Sequence, residues 1–366
     1  MLEEIGLAAW HGDGRTTTVR EIEEHCRASG VGKLLDSFKE GTQAGVTRLL
    51  AAFFFRQYGQ RASGDPTFVF THKSFGEYLA ARRIVRATER VIKELERRAS
   101  SPDEGWDERD ALRHWTQICG PSAVSPYLHV FLLNEVRLHG PDELLPWQDA
   151  LAKLFSCVLA HSLPMEQLQL VRFKDMMFQS RNAEEALLAA LNACARVTGQ
   201  ASSIRHPDAA SFGAWLRRVQ GQRVGPESVL ALRCLSQLDL TGCVLHMADL
   251  YGADLRSTIL KRAELNFAVL VEATLNDADL RHADMQECMA QGADFGGADL
   301  GGARARAAVL RGANFANARL VGASFSRDMV YVAMGLPKDL EHVHFLDDGP
   351  VRSGEAEMAT KRRARP

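Results

Sequence analysis

The sequence predicts a mixed, multidomain chain in which a helix-rich N-terminal part precedes a coiled β-structure built from five-residue repeats. Three observations support this fold class. Apolar residues recur at every fifth position between residues 236 and 325, and at helical spacing between residues 84 and 235. Two strand-like runs follow helical segments within the first 80 residues. The length of 366 residues exceeds that of a usual single domain, so two or three domains are expected.

The five-residue period is the most specific feature of the sequence. Its large positions form a predicted repeat core of Leu240, Leu245, Leu250, Leu255, Leu260, Leu265, Leu270, Leu275, Leu280, Met285, Ala290, Phe295, Leu300, Ala305, Leu310, Phe315, Leu320 and Phe325. A small residue, usually alanine, stands two positions before most of them. Fifth neighbours lie about 140° apart on a helix and alternate between the faces of a strand, so neither structure gathers them. A backbone that turns a corner every five residues does gather them.

The repeated string Ala-(Asp/Asn)-Leu resembles the pentapeptide-repeat family, for example at residues 248–255, 278–280, 293–300 and 313–315. The resemblance implies a right-handed, quadrilateral β-helix over residues 236–325. Four pentapeptides in each coil would give about four and a half coils and a rod roughly 20 Å long at the ~4.8 Å strand spacing.

Both ends of such a rod need a cover, because repeat arrays expose their ends unless they are capped. We expect the helical region before Leu235 to cover one end. Residues 326–346, with Val330, Val332 and Met334, are the predicted C-terminal cap. Residues 347–366 contain few apolar side chains and are expected to form a disordered tail with a basic end.

The charged residues of the repeat are expected to stabilise its turns and not to form a catalytic or metal site. Aspartates precede many of the core positions and should face outward or accept hydrogen bonds from turn amides, in preference to forming a metal or catalytic cluster. Residues 236–300 carry eleven acidic and four basic residues, whereas residues 301–325 carry four arginines and no acidic residue. The rod is therefore predicted to be electrically polar along its axis, which either orients a docked partner or leaves a solvated surface.

Whole-chain composition excludes several classes of function. A formal net charge of −2 gives no electrostatic case for a dedicated nucleic-acid binder or a strongly acidic mimic. The N-terminus lacks a secretory pattern, and no apolar run is long enough for a membrane helix, so a cytoplasmic protein is predicted. The seven cysteines are scattered without a C-x-x-C pair, which favours reduced thiols over disulfides or zinc. No spacing suggests a catalytic site, and an enzyme is not expected.

Residues 1–80 are predicted to form a winged-helix-like α+β domain. Helical spacing in residues 1–10 is followed by a capping box, Thr18-x-x-Glu21, for a second helix, and a third helix is expected from about Lys33 to Phe38. Strand-like runs at residues 49–58 and 67–71 flank a loop rich in glycine. Three helices followed by a hairpin is the order of a winged helix, which serves as a DNA reader or as a packing module.

A distinctive motif follows the hairpin: Phe68-Val-Phe-Thr-His-Lys-Ser-Phe-Gly-Glu-Tyr-Leu-Ala-Ala81. Its Ser74-x-x-Glu77 predicts a capping box and a helix that begins at Ser74. The motif resembles the junction after the winged helix in NACHT-type (STAND) signal-transduction ATPases, a group that includes immune receptors. The resemblance implies that His72 matches the histidine that contacts bound ADP there.

The chain departs from the NACHT pattern where nucleotide would bind. The segment Arg27-Ala-Ser-Gly-Val-Gly-Lys-Leu34 has arginine in place of the first phosphate-loop glycine and leucine in place of the hydroxyl residue. No cofactor is therefore expected in this chain, and ADP or ATP would bind only through an ATPase core that this sequence lacks. His72 is then a relic, a contact to nucleotide held by another polypeptide, or a junction residue.

Residues 81–235 are predicted to form an all-helical domain. Amphipathic stripes recur, for example around Trp115, Phe155 and Leu191. Ser101-Pro-Asp-Glu104 is expected to open a new helix after the basic segment that precedes it. Gly-Pro pairs separate the stripes, which favours a bundle or a stack of helical hairpins.

Two functional hypotheses follow. The first is a non-catalytic interaction and sensor module, the regulatory and partner-recognition part of a NACHT-type, defence-like ATPase, with a protein or that ATPase core as its partner and no membrane or specific nucleic acid. The alternative is a pentapeptide-repeat DNA mimic that protects a type II topoisomerase.

Overall fold

The computed structural model describes residues 2–13, 16–33, 36, 55–60, 64, 66–222, 229–337, 340 and 342–346. The described residues fall into two compact units. One contains those up to residue 207 and from 218 to 234, and the other contains those from 208 to 217 and from 235 onward. None of the helices in these ranges has the length and apolar character that crossing a membrane requires.

The first unit begins with helices around a small antiparallel sheet. Its elements are α1 (Leu2–Asp13), β1 (Thr16–Thr18), α2 (Val19–Ala28), β2 (Phe55–Gln60) and β3 (Pro66–Phe70). The strand order is β1-β3-β2, and both pairings are antiparallel. The hydroxyl of Thr18 accepts from the Glu21 amide, and the Glu21 carboxylate accepts from the Thr18 amide, which confirms the predicted capping box. Ile5, Ile22 and Phe68 belong to the core that joins the helices to the sheet.

The remaining helices of this unit extend the fold to residue 234. They are α3 (Lys73–Ser100), α4 (Glu108–Cys119), α5 (Pro126–Val136), α6 (Pro141–His161) and α7 (Phe173–Thr198), with 3-10 turns at Met165–Gln167 and Leu230–Arg233 and a short strand β4 (Ser202–Ser203). Trp115 and Phe155 are fully buried, as their amphipathic spacing predicts. The described residues of this region are mainly helical, and the short strand β4 departs from the predicted all-helical character. The predicted third helix lies largely outside the described residues.

Two predicted helix starts are wrong. Helix α3 begins at Lys73, one residue before Ser74, and its N-cap is His72 without a side-chain hydrogen bond. Ser74 is therefore the second residue of the helix and not its N-cap, and the Glu77 carboxylate instead accepts a 2.6 Å hydrogen bond from the Ser125 hydroxyl and pairs with Lys73.

The helix predicted to open at Ser101 instead begins at Glu108. Asp107 provides the N-cap there, since its carboxylate accepts from the Asp110 amide at 2.8 Å. Asp107 satisfies a free amide of the first turn, which is what makes it the better start.

The second unit is a coil with a strict 20-residue repeat. Parallel β-bridges join each outward residue to the one 20 positions later, from Asp239–Ile259 to Asn314–Met334. A residue in the left-handed region turns the chain at every fifth position, from Gln237 (φ 57°) to Gly322 (φ 72°). Four corners in each coil give the quadrilateral cross-section of this β-helix. All eighteen positions of the repeat core are at most 4% exposed.

Segments on both sides of the repeat join the coil. Residues 211–217 of α8 (Ser211–Gly221) belong to this unit, and the Val244 amide donates to the Ala209 carbonyl at 2.7 Å. Helix α8 itself comes so close to the coil that a Cβ on its residue Gly213 would lie 2.3 Å from the Val244 carbonyl oxygen. The segment therefore packs against the first coil, and the predicted capping role of the region before Leu235 stays a prediction.

The C-terminal segment continues the coil. Strands β7 (Ser324–Ser326) and β8 (His344–Leu346) pair in parallel with the same 20-residue register, and a helical turn, α9 (Met329–Val332), lies between them. Short strands β5 (Leu238–Asp239) and β6 (Arg304–Ala305) complete the unit. Met329 is buried at this end, whereas Met334, predicted as part of the cap, is 55% exposed. The predicted tail lies outside the described residues, and the predicted domain boundaries stay predictions.

Candidate functional site

The four sides of the β-helix are chemically different. Because the register is 20 residues, every side carries an outward column formed by the residue just before each core position. The columns are Asp239, Ile259, Asp279, Asp299 and Arg319 on side 1; Val244, Glu264, Asp284, Arg304 and Ser324 on side 2; Asp249, Val269, Met289 and Val309 on side 3; and Asp254, Thr274, Asp294, Asn314 and Met334 on side 4. Side 3 alone has an uninterrupted run of apolar residues in its column.

The aspartates of the columns stabilise the turns that follow them. Each of seven aspartates accepts a hydrogen bond from the amide two residues later, at 3.0 Å for Asp299 and Gly301, for example. This geometry is the Asx turn. The predicted turn-stabilising role of these carboxylates is therefore what the structure shows, and it commits one oxygen of each to the backbone.

Ion pairs offset much of the acidic charge. Arg281 donates to Asp279 at 2.7 Å and lowers the pKa of that carboxyl group. One coil further on, Arg304 reaches back to Asp284 at 2.8 Å. Arg319 lies 3.9 Å from Asp299. Two of the four arginines of residues 301–325, Arg304 and Arg319, thus lie above aspartates of the preceding coil and offset their charge locally.

Side 3 presents an apolar surface to solvent. Met289 and Val309 in its column are 40% and 43% exposed, and Val269 is partly exposed below them. The next column of the same side adds Tyr251, which is 54% exposed, and Val271. We call these five residues the apolar side.

The apolar side extends around the corner that precedes it. Met247 and Phe267 occupy the left-handed corner positions of successive coils and are 67% and 44% exposed. A large side chain in the left-handed region costs roughly 1–2 kcal/mol. Both corners would be less strained with glycine, and both instead add to exposed apolar area.

Opposite charges lie at the two ends of the apolar side. Asp249 occupies the first coil, and Glu272 accepts a 2.9 Å hydrogen bond from the Tyr251 hydroxyl. Arg311 lies at the other end, in the fourth coil and directly above Gln291. The Gly292 amide donates to the Arg311 carbonyl, which shows that these two coils are adjacent. Arg311 is exposed and forms no ion pair with any described residue. The apolar side therefore runs from an acidic end to a basic end.

His72 lies in the other unit, at the start of α3. Its side chain is exposed, and its backbone carbonyl accepts from the Phe75 amide at 3.1 Å. A cavity of about 300 Å³ opens beside it and is lined by Trp10, Phe70, Lys73 and Glu77, among others. His72 itself does not line this cavity, although its neighbours Thr71 and Lys73 do. Nothing in this arrangement fixes the position of the imidazole.

The buried titratable groups of the first unit maintain packing. The imidazole of His129 contacts the thiol of Cys234 at 3.6 Å, and both residues are buried. Burial raises the pKa of Cys194 to about 12. Burial also lowers the pKa of His11 to about 4, helped by the neighbouring charges of His25 and Arg83. No disulfide joins any of the seven cysteines, all of which lie among the described residues. No cluster of His, Cys, Asp or Glu among the described residues has the arrangement of a metal site.

The sequence contained a signal for the apolar side that the five-residue pattern hides. Residues 269, 289 and 309 each place an apolar residue where the repeat favours aspartate, and they are spaced by one coil of 20 residues. A search at the coil period would have separated this side from the other three.

Comparisons with known proteins agree with the repeat structure. The family model described as pentapeptide repeats matches eight copies, over residues 248–286, 258–295 and 291–327. Rfr23, a pentapeptide repeat protein from the cyanobacterium Cyanothece 51142, is 35% identical over 25% of this chain, with a TM-score of 0.25. The chain spans 63% of the length of Rfr23.

Two further solved structures are similar to part of the chain. A pentapeptide repeat protein from the Arabidopsis thaliana thylakoid lumen is 26% identical over 31% of this chain and 87% of its own, with a TM-score of 0.26. A trypsin-treated form of QnrB1, a plasmid-mediated fluoroquinolone resistance protein, is 19% identical over 35% of this chain and 86% of its own, with a TM-score of 0.14. No curated protein sequence matches the chain.

Proposed function

Since residues 248–327 are pentapeptide repeats, we propose that this chain is a non-catalytic interaction module whose β-helix recognises a protein partner. In the same proposal, the N-terminal unit is the winged-helix and helical part of a NACHT-type, defence-like signalling system. It docks onto an ATPase core that holds ADP or ATP. The module is proposed to work in the cytoplasm, where its seven free thiols stay reduced.

The apolar side is the observation that carries the proposal. Exposed apolar columns are costly in water and are typical of protein-binding surfaces. Hydrogen bonds join every coil to the next, for example from the Leu270 amide to the Met289 carbonyl at 2.6 Å. A rigid surface loses little conformational entropy on binding, which favours recognition without a large rearrangement.

The N-terminal unit supports the winged-helix part of the proposal. Among the described residues, two helices separated by a short strand precede a hairpin, and the first strand pairs with the second strand of that hairpin. This strand order closes a three-stranded sheet against the helices. The exposed position of His72 leaves its imidazole accessible to a nucleotide held by another polypeptide.

Proximity labelling in the native host tests partner recognition. We compare the native chain with Met289→Arg, which places a charge in the middle of the apolar side, and with the control Arg262→Glu on the corner between sides 1 and 2. At least one protein should be labelled by the native chain and the control but lost with Met289→Arg. Identical labelling by all three chains would refute recognition through the apolar side.

A second measurement tests the NACHT part. A protein encoded beside this chain should contain a phosphate loop and retain ADP when it is co-purified with this chain. His72→Ala should then accelerate ADP release, while Lys73→Ala serves as a neighbouring control. An unchanged rate of ADP release would mean that His72 does not contact the nucleotide and is only a junction residue.

The alternative, protection of a type II topoisomerase by DNA mimicry, has weaker support. A DNA mimic needs continuous negative potential, whereas Arg281, Arg304 and Arg319 form ion pairs with the aspartates of sides 1 and 2. Competition between this chain and duplex DNA for purified gyrase would favour mimicry. We expect no competition.

A further inference from the structure

We propose that the apolar side binds a second copy of this chain, with the two β-helices antiparallel. The inference rests on the proposed recognition role of that side and names its occupant. Apolar area alone does not choose a partner, but the distribution of charge along this side does.

The apolar side is complementary to itself when it is reversed. Asp249 and Tyr251 lie in the first coil, and Arg311 lies in the fourth. A two-fold axis that crosses the rod between Val269 and Met289 would place Arg311 of each copy opposite Tyr251 of the other, with Asp249 in the neighbouring column. The guanidinium group can then lie over the tyrosine ring and reach diagonally toward the Asp249 carboxylate, once at each end of the interface.

The middle of the side is mainly apolar in the same arrangement, although the corner residue Glu287 faces Phe267 of the other copy. In this register Val269 of one copy faces Met289 of the other, and Val271 faces Gln291. Methionine adapts its shape readily, so it can fill the gap against a β-branched neighbour. A parallel pairing would instead set Asp249 against Asp249 and Arg311 against Arg311, which like-charge repulsion disfavours.

The size of the surface predicts a weak dimer. Four coils at ~4.8 Å spacing span only about 15 Å along the rod. Such a surface is smaller than the roughly 800 Å² per partner of a standard stable interface. The two copies should therefore exchange freely and dissociate on dilution.

Sedimentation velocity of the full chain over a concentration series tests the proposal. We expect a reversible monomer–dimer equilibrium, weakened at least about tenfold by Arg311→Glu and also by Asp249→Arg. The double variant Arg311→Glu/Asp249→Arg exchanges the charges and should restore dimerisation. Arg262→Glu is the matched charge-reversal control and should leave the equilibrium unchanged. A chain that stays monomeric at all concentrations, or a dimer insensitive to these changes, would overturn the proposal.

Disulfide trapping tests the antiparallel register. Val269→Cys and Met289→Cys are made separately in a Cys157→Ser background, because Cys157 is the only partly exposed cysteine of the native chain. Mild oxidation of the mixed variants should give a cross-linked dimer, and either variant alone should give little. Efficient cross-linking of Met289→Cys with itself would contradict the register.

The outcome is separable from that of the proposed function. If the chain is monomeric while Met289→Arg still abolishes labelling of another protein, recognition stands and the second copy is wrong. If the dimer forms and no other protein depends on Met289, the apolar side serves assembly and the recognition proposal falls.

Discussion

Replacing Leu280 by aspartate should unfold the β-helix while leaving the N-terminal helices folded. The Leu280 side chain is fully buried in the core of side 1. Loss of its burial costs about 2–3 kcal/mol, and an unpaired neutral carboxyl group costs about 1–3 kcal/mol more. The sum, about 3–6 kcal/mol, is comparable to the whole stability of many domains, roughly 5–15 kcal/mol.

The carboxyl group also makes the effect depend on pH. Burial raises the pKa of such a group above its unfolded value, so the folded state binds the proton more tightly than the unfolded state. The destabilisation relative to the native chain should therefore be smallest near pH 4 and grow as the pH rises toward 7.

Urea denaturation followed by circular dichroism, with hydrogen exchange to locate the loss, measures the effect. Met289→Asp is the matched control, because it introduces the same residue at an exposed column position where the repeat favours aspartate. On the same side, Asp249 accepts from the Tyr251 amide at 3.2 Å. The control should change stability by no more than about 0.5 kcal/mol. Equal midpoints for the two variants, with residues 240–325 still protected in Leu280→Asp, would refute the assigned core register.

Three further predictions follow from individual positions. Gly297→Ala should destabilise the β-helix more than Gly312→Ala in urea denaturation. Both glycines have φ of 72°, but only at Gly297 would the new Cβ meet another atom, Asp277 Oδ1 at 2.3 Å. Equal effects would mean that the Asp277 side chain moves away at no cost. Burial lowers the folded-state pKa of His11 and His114 to about 4 from 6.5, so the unfolded state binds more protons below pH 6.5. The free energy of unfolding should therefore fall as the pH drops from about 6.5 to 4, by up to about 3 kcal/mol for each group. His11→Gln should make the free energy of unfolding depend less on pH, and an unchanged pH profile would contradict this prediction. Burial raises the pKa of Cys288 to about 12, so a thiol reagent at pH 8 should modify it only after denaturation, and rapid labelling of the native chain would show that the coil opens there.

The N-terminal half shows where local sequence signals compete. The sequence offered two equivalent capping boxes, and the structure uses only the one at Thr18. At Ser74 the partner carboxylate of Glu77 is buried and taken by Ser125, a residue 48 positions later. No local pattern reports a partner so distant in sequence, so the sequence could not show that Glu77 bonds to Ser125.

The candidate site was hidden for a different reason. Each residue of the apolar side is unremarkable in its own pentapeptide. Val269, Met289 and Val309 become one surface only because the coil brings residues 20 apart into contact. The five-residue period was visible in the sequence, whereas the number of repeats in each coil entered only through a family resemblance.

The sequence by itself determined the repeat, the core positions and the turns of the β-helix, because these depend on neighbours within five residues. Apolar side chains must leave water, and aspartate must satisfy the amide two residues ahead, wherever the coil lies. The tertiary structure decided which outward residues share a side, which arginine neutralises which aspartate, and where opposite charges end the apolar side. Those relations join residues that are 20 positions apart in the sequence. These residues come into contact only when successive coils stack on one another.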